Sequence, residues 1–320
     1  MEIASFNPQW QQTMIRVKSP QAVEWYEKNF GFQLVDKYEF PQWKFSVYFL
    51  ATLPKGEQAP TEPGSAAAHE WISKTRYVLL ELTYNHDSDE VYISGNVEPH
   101  RGFGHIAVNC DDVYEACAKL EAAGVKFQKK PDEGRMKGLA FALDETGYWV
   151  EIIRRSAGHT LSTPFNFSQT MLRVKDPKKS LDFYQNVLGM TLISTRHFSD
   201  FSLYFLASFS PEEIATIPTS EDDRFEFLKS LHNPVLELTH NHGTESNPDF
   251  HYTNGNEPGL RGFGHIGFLV DNFDEYCSLL DVRGIPFKKK PTDGNMRNLA
   301  FILDPDNYWI EIMPRGRFEF

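Results

Sequence analysis

Side chains able to hold a metal ion recur at matched places in the two halves of this 320-residue chain. In the run Gln12 to Lys18, strand alternation puts Gln12, Met14 and Arg16 on one face and Thr13, Ile15 and Val17 on the other. Glu81, Thr83 and Asn85 share a face in Val78 to Asn85. Arg101, Phe103 and His105 share one in Arg101 to Val108, and Trp149 and Glu151 share one in Tyr148 to Ile153. Separate strands thus offer Gln12, Glu81, His105 and Glu151, and the second half offers Gln169, Glu237, His265 and Glu311 in the same way. Each glutamate lies among apolar neighbours, where an unpaired carboxylate is costly to bury. The whole set occurs twice, which favours metal binding over exposure on an open sheet. Oxygen donors with one imidazole differ from the Cys-rich closed sites of structural zinc and leave room for water or substrate. Zinc, nickel, cobalt or manganese would suit them, and the residue types do not choose.

Polar anchors stand four residues from these ligands: Gln12 with Arg16, Glu81 with Asn85, and Arg101 with His105. In an extended strand that spacing spans roughly 13 Å. A ligand of about tripeptide length, roughly 10 Å, would reach from the metal to such an anchor. The guanidinium fork suits a carboxylate. The basic segment Lys129 to Lys137, with Arg135 and Met136, and its counterpart Lys289 to Arg297 read as a further anion clamp.

The elements that must position these residues follow from a repeat at an offset of 156 to 160 residues. Gln12 to Lys18 returns as Gln169 to Lys175, and Arg101 to Ile106 returns unchanged as Arg261 to Ile266. Leu139-Ala140-Phe141 returns as Leu299 to Phe301, and Tyr148 to Ile152 as Tyr308 to Ile312. The halves are read as 1–158 and 159–320, joined across an Arg-, Ser-, Gly-, Thr- and Pro-containing stretch near 154–164. Inside each half a weaker repeat shows. Gln12 and His105 open β-like runs, and a glycine follows nineteen residues later, at Gly31 and Gly124. Helical spacings fill the interval: Val23, Tyr26, Phe30; Val113, Ala116, Cys117, Leu120; Leu181, Tyr184, Leu188; Phe273, Tyr276, Cys277, Leu280. Ser19-Pro20 and Asp176-Pro177 read as a cap followed by a first-turn proline. The fold expected is α+β, with four βαβββ modules in two duplicated units. Segments 52–74 and 208–233 are expected to be loops, the first a mobile surface loop.

A net charge of −12 disfavours non-specific binding to nucleic acid or anionic membrane. The polar N-terminal segment does not read as a signal peptide. No apolar run reaches the roughly 18 residues of a membrane span. Three cysteines make neither a disulfide framework nor a CxxC motif. A soluble, cytosolic chain is expected.

Gln169 to Met190 (QTMLRVKDPKKSLDFYQNVLGM), LELTHN at 236–241, RGFGHIG at 261–267, the Lys-Lys-Pro segment and YWIEI at 308–312 closely resemble glyoxalase I, the lactoylglutathione lyase of the vicinal oxygen chelate superfamily. The resemblance covers nearly the whole chain, once per half, and is to the fused two-domain form. It implies that the metal set is Gln, Glu, His, Glu. In homodimeric relatives each site lies between subunits. Carried over, one site would hold Gln12, Glu81, His265 and Glu311, and the other Gln169, Glu237, His105 and Glu151. Residue types alone leave pairing within one half equally open.

The resemblance further implies that glutathione is held by Arg16, Asn85, Arg261 and Lys289 at one site. At the other, Arg173, Asn241, Arg101, Lys129 and Arg135 would hold it. Met136, Leu139 and Phe141, or Met296, Leu299 and Phe301, would form apolar floors. Asn295 stands where a basic residue is expected, which would weaken one clamp unless Arg297 compensates. The long segment before RGFGH is similar to zinc-type forms, so zinc is the ion implied, two per chain. The implied substrate is the hemithioacetal of methylglyoxal and glutathione, with Glu311 and Glu151 as bases. Glu81 and Glu237 would be ligands able to serve the opposite stereoisomer. Fusion removes the need for a dimer, so a monomer is expected.

Overall fold

The computed structural model describes residues 2–156, 164–294, 296 and 298–317. The expected join at 158/159 lies outside these, as do Asn295 and Arg297. The first module comprises β1 (Gln9–Val17), α1 (Gln21–Phe30), β2 (Gln33–Phe40), β3 (Phe45–Ala51), α2 (Ala66–Lys74) and β4 (Leu79–Asn85). The second comprises β5 (Phe103–Cys110), α3 (Val113–Ala122), β6 (Lys126–Lys129), β7 (Ala140–Leu143) and β8 (Trp149–Arg154). The third comprises β9 (Asn166–Arg173), α4 (Pro177–Asn186), β10 (Thr191–His197), β11 (Phe201–Ala207), α5 (Pro211–Ile214), α6 (Glu221–Leu228) and β12 (Val235–Asn241). The fourth comprises β13 (Phe263–Val270), α7 (Phe273–Val282), β14 (Phe287–Lys289), β15 (Ala300–Leu303) and β16 (Trp309–Pro314).

The α+β architecture with βαβββ modules is as expected, and the modules combine across the halves. Two eight-stranded sheets run β14-β15-β16-β13-β1-β4-β3-β2 and β10-β11-β12-β9-β5-β8-β7-β6. Each takes four strands from each half. The seams are antiparallel: β1 with β13 and β5 with β9. Alternation then sorts the strands' two faces. The Thr13, Ile15, Val17 face joins Leu80, Leu82, Ile266 and Ile310 in a core that also takes Tyr26, Tyr184 and Tyr276 from the helices. Repeat-related residues meet there: Thr13 and Thr170 share a 2.7 Å hydroxyl hydrogen bond, and the Phe103 and Phe263 rings stack 5.1 Å apart. The opposite faces carry the ligating side chains.

Two segments read as loops contain helices. α2 occupies the end of 52–74, its start fixed by Ser65, whose hydroxyl accepts from the Ala68 N–H, and its Ala68 and Ile72 are buried. In 208–233, Ser210 and Glu213 form a reciprocal capping box on α5, and Ser220 accepts from the Asp223 N–H at α6. Short helices among Pro and Gly leave too few turns for periodicity to register. α1 begins at Gln21 and Ser19 does not cap it, whereas Asp176 caps α4 by accepting from Lys178 and Lys179.

The strands bearing the last ligands are anchored by buried turns. Asp144 Oδ1 accepts from the N–H groups of Thr146, Gly147 and Tyr148 at 2.9, 2.7 and 2.8 Å, and the Tyr26 hydroxyl donates to Oδ2 at 2.9 Å. The Asp304 turn repeats this with Asp306, Tyr308 and the Tyr184 hydroxyl, each 2.9 Å away. Each aspartate thus ties a helix to the turn that launches β8 or β16. No helix among the described residues is long and apolar enough to cross a membrane.

Candidate metal centres

Register brings the ligating residues together across the seams. Met14 pairs with Glu81 on one side and with His265 on the other, and Gln12 pairs with Gly267, which faces Glu311. Gln12, Glu81, His265 and Glu311 therefore converge on one face. Their exposures are only 1, 5, 6 and 5 %. Gln12 Nε2 donates to Glu81 Oε2 and, at 2.8 Å, to Glu311 Oε2, and lies 3.2 Å from His265 Nε2. His265 Nε2 lies 3.0 Å from Glu311 and 3.4 Å from Glu81.

The second cluster repeats the geometry with Gln169, Glu237, His105 and Glu151. Gln169 Nε2 donates to Glu151 at 2.6 Å and Glu237 at 2.7 Å, and lies 3.3 Å from His105 Nε2. His105 stands 3.3 Å from Glu151 and 3.8 Å from Glu237. Pairing is across the halves in both clusters, which residue types had left open. Thr83 and Thr239, two residues beyond the first glutamates, donate to Glu81 and Glu237 at 3.2 and 3.1 Å. The Leu-Glu-Leu-Thr repeat carried that signal, since alternation puts both polar residues on one face.

Electrostatics shows how crowded these groups are. Burial lowers the His265 imidazole's proton affinity, but Glu311 and Glu81 outweigh it and raise the pKa to about 9. Burial pushes the Glu311 carboxyl up, against the pull of His265. Burial likewise raises Glu237, opposed by His105 and reinforced by Glu151. Protons hold such a cluster together in the absence of a cation, and a cation would displace them. The residues fit a divalent ion on one more count. Gln12 Oε1 is buried without a hydrogen-bond partner among the described residues, and rotation of the amide exchanges it with the nitrogen that faces the carboxylates. The three acid and imidazole donors of each cluster lie within 4.8 Å of one another.

The residues expected to anchor an anion each hold a partner within the protein. Arg16 is turned onto the opposite half's loop, donating to the carbonyls of Gly255 and Phe263 at 3.1 and 3.2 Å and to Asn256 Oδ1 at 2.8 Å. Arg173 does the same with Gly95, Phe103 and Asn96. Asn85 and Asn241 donate to the Tyr92 and Tyr252 hydroxyls, both at 2.9 Å. Arg261 pairs with Glu90 at 3.2 Å and Arg101 with Glu98 at 3.1 Å. Lys129 donates to the Leu139 carbonyl at 2.6 Å, and Lys289 to that of Leu299 at 3.0 Å. Arg135 spans to Asp200 of the other half at 3.2 Å. Met136 lines a cavity over the second cluster with Leu139 and Phe141. Met296 packs on Leu269, Leu299 and Met313.

Comparison with known proteins agrees with this architecture. Residues 10–152 and 166–312 match the Glyoxalase/Bleomycin resistance protein/Dioxygenase superfamily, and the chain belongs to it. It is 41 % identical over 311 residues to a lactoylglutathione lyase of Schizosaccharomyces pombe, covering 94 % of each chain. It is 40 % identical over 323 residues to a glyoxalase I of Saccharomyces cerevisiae, covering 95 % of this chain and 91 % of the other. The crystal structure of glyoxalase I from Zea mays shares the fold, with a TM-score of 0.69 at 23 % identity over 98 % of this chain and 94 % of that one.

Proposed function

We infer that the chain is a lactoylglutathione lyase, converting the hemithioacetal of methylglyoxal and glutathione to S-D-lactoylglutathione. One observation carries the reading: a Gln, Glu, His, Glu set assembled twice across the seams, in a chain about 40 % identical to named lactoylglutathione lyases over nearly its full length. Gln12, Glu81, His265 and Glu311 would hold one divalent ion, and Gln169, Glu237, His105 and Glu151 a second. Zinc is the ion proposed, from the long segment preceding Arg261. Nickel, cobalt and manganese suit the same donors. When bound, the ion supplies positive charge that stabilises the ene-diolate form of the substrate.

The chain's own residues move the proton. Glu311 in one site and Glu151 in the other take it from the carbon bearing sulfur and return it to the neighbouring carbon. Burial, which raises the Glu311 pKa, favours a carboxylate that accepts a proton readily. Glu81 and Glu237, held by Thr83 and Thr239, would serve the opposite stereoisomer. Arg16, Asn85, Arg261 and Lys289 would grip glutathione at the first site, and Arg173, Asn241, Arg101, Lys129 and Arg135 at the second. For Arg16 and Arg173 this means sharing the guanidinium with the loop carbonyls they already bind. The enzyme is proposed to act as a cytoplasmic monomer built from the units 1–158 and 159–320.

The test is thioester formation, followed by ultraviolet absorbance in metal-loaded protein. Glu311→Gln and Glu151→Gln should each remove one site's share of turnover, and the double variant should fall by roughly 10²–10⁴-fold. Full turnover by the double variant at unchanged metal content would overturn the assignment of the bases.

A further inference from the structure

The two clusters match, but the ground beyond them does not. On β5, Asn109 follows Ala107 by two residues and faces Ile153, itself two residues beyond Glu151. That is roughly 7 Å further along the strands. It lies on the side away from Arg101, toward which glutathione would extend. At the corresponding places in the first cluster stand Leu269 and Met313, which also face each other. These two are 0 and 2 % exposed and pack with Leu299 as an apolar plug. Gly267 permits the plug: a Cβ there would stand 2.9 Å from Met313 Cε. The second cluster has Ala107 and the shorter, β-branched Ile153 instead.

Asn109 and Ile153 line a cavity of about 530 Å³ that also reaches His105, Glu151, Gln169 and Glu237. Its walls are mainly apolar, with Phe141, Leu203, Phe205 and Val235 among them, and the cations Lys137, Arg154, Arg196 and Lys229 also line it. Two polar atoms of its lining residues lack hydrogen-bond partners among the described residues: Asn109 Oδ1 and Ser168 Oγ, in residues 1 and 9 % exposed. Ser168 sits at the bulge where β9 crosses from Gln169 to Phe167. The matching β1 bulge holds Gln11, whose Oε1 is likewise buried without a partner among the described residues. The two sites therefore differ by Asn109 against Leu269. Buried polar atoms are normally matched. A ligand hydroxyl can donate to the Asn109 carbonyl oxygen, and a second polar group of the ligand can accept from Ser168.

We propose that the second site accepts hemithioacetals of longer 2-oxoaldehydes whose carbon chain carries a hydroxyl group, and that the first site is restricted to short apolar ones. The proposal rests on the reading that both clusters act on glutathione hemithioacetals. Glutathione would run toward Arg101, the reacting carbons would sit at the cluster, and the aldehyde's remaining carbons would run toward Asn109. A site with buried polar groups discriminates against a ligand that leaves them unpaired.

The test uses the full chain in two single-site forms. Glu311→Gln leaves the second site, and Glu151→Gln leaves the first. Each is assayed with glutathione and either 2-oxobutanal or 3,4-dihydroxy-2-oxobutanal, and the ratio of kcat/KM for the hydroxylated over the plain aldehyde is taken. That ratio should be about tenfold higher in the second-site form. Asn109→Leu, which installs the residue found at the matching place of the first cluster, Leu269, should lower it about tenfold. Calorimetry on the chain with all glutamates intact gives an independent readout. S-(4-hydroxybutyl)glutathione should outbind S-butylglutathione at one of two sites, and Asn109→Leu should abolish the difference. Equal ratios in the two forms, or a ratio indifferent to Asn109→Leu, would overturn the proposal while methylglyoxal turnover upholds the activity. Absence of methylglyoxal turnover in both single-site forms and in the unsubstituted chain would instead remove the activity reading, and the proposal with it.

Discussion

Gly267→Ala should cost the first cluster its ion while sparing the second. Gly267 faces both Gln12 and Glu311 across neighbouring strands. An added Cβ would stand 2.8 Å from Gln12 Cγ, 2.9 Å from Met313 Cε and 3.0 Å from Gln12 Cδ. The methionine tip can swing aside. Gln12 Cγ is fixed near the backbone, so relief there displaces the amide that closes the cluster. Overpacking of this size costs roughly 1–3 kcal/mol. If about 1.4 kcal/mol of that falls on ligand geometry, affinity for the ion drops about tenfold. Competitive chelator titration with metal analysis measures it, and the second cluster is the internal reference because Ala107 already stands at its matching place. Gly267→Ala with Met313→Ile rebuilds the second cluster's pair, Ala107 and Ile153, and should bring affinity back to within about threefold. Two equal, undiminished affinities in Gly267→Ala would refute the reasoning that the glycine is retained for the packing of Gln12 and Met313.

Two further outcomes are expected. Asp144→Ala removes the acceptor of three backbone N–H groups and the Tyr26 hydroxyl, and should destabilise the fold by roughly 3 kcal/mol in urea unfolding, against about 1 kcal/mol for Tyr26→Phe. Metal removal should also make stability pH-dependent. The His265 pKa of about 9 in the fold exceeds the ordinary histidine value of 6.5, so its contribution is complete below 6.5 and is lost as pH rises through 9. Integrated, that is about 3 kcal/mol, so the metal-free protein's Tm should fall between pH 6.5 and 9 while the loaded protein's stays level. A metal-free Tm that rose over that interval would contradict the assigned role of Glu311 and Glu81 around His265.

What was legible in the residues was whatever strand alternation or helical spacing repeats locally. Gln12, Glu81, His105 and Glu151 each declared a face by period two, and Tyr26, Tyr184 and Tyr276 declared buried helix stripes. Which strand lies beside which was not legible, because β5 and β13 both open with Phe-Gly-His-Ile and either could seat its histidine beside β1. Segment 52–74 concealed α2 because nine residues, three of them consecutive alanines, present too short an apolar stripe. Arg16 shows a different limit. Its spacing from Gln12 marks it as an anchor for an anion, and its donors also meet carbonyls of the 255–263 loop, which the spacing did not disclose. A guanidinium on a strand face accepts either partner, and only the tertiary path of the loop decides what is within reach.

The crossing of the halves also explains how the two sites came to differ. In an assembly of two identical chains, one substitution on the strand bearing the histidine alters both sites. Here β5 and β8 serve only the second cluster, and β13 and β16 only the first. Asn109 can therefore replace a leucine without disturbing the Leu269, Met313 and Leu299 plug. The exchange of Gly267 and Met313 for Ala107 and Ile153 follows the same logic, since each pair must fit only its own glutamine. The ligands stayed alike because both clusters need the same donors for an ion. The residues two places beyond them bear on what the substrate carries, and there a polar end in one cavity is compatible with an apolar plug in the other.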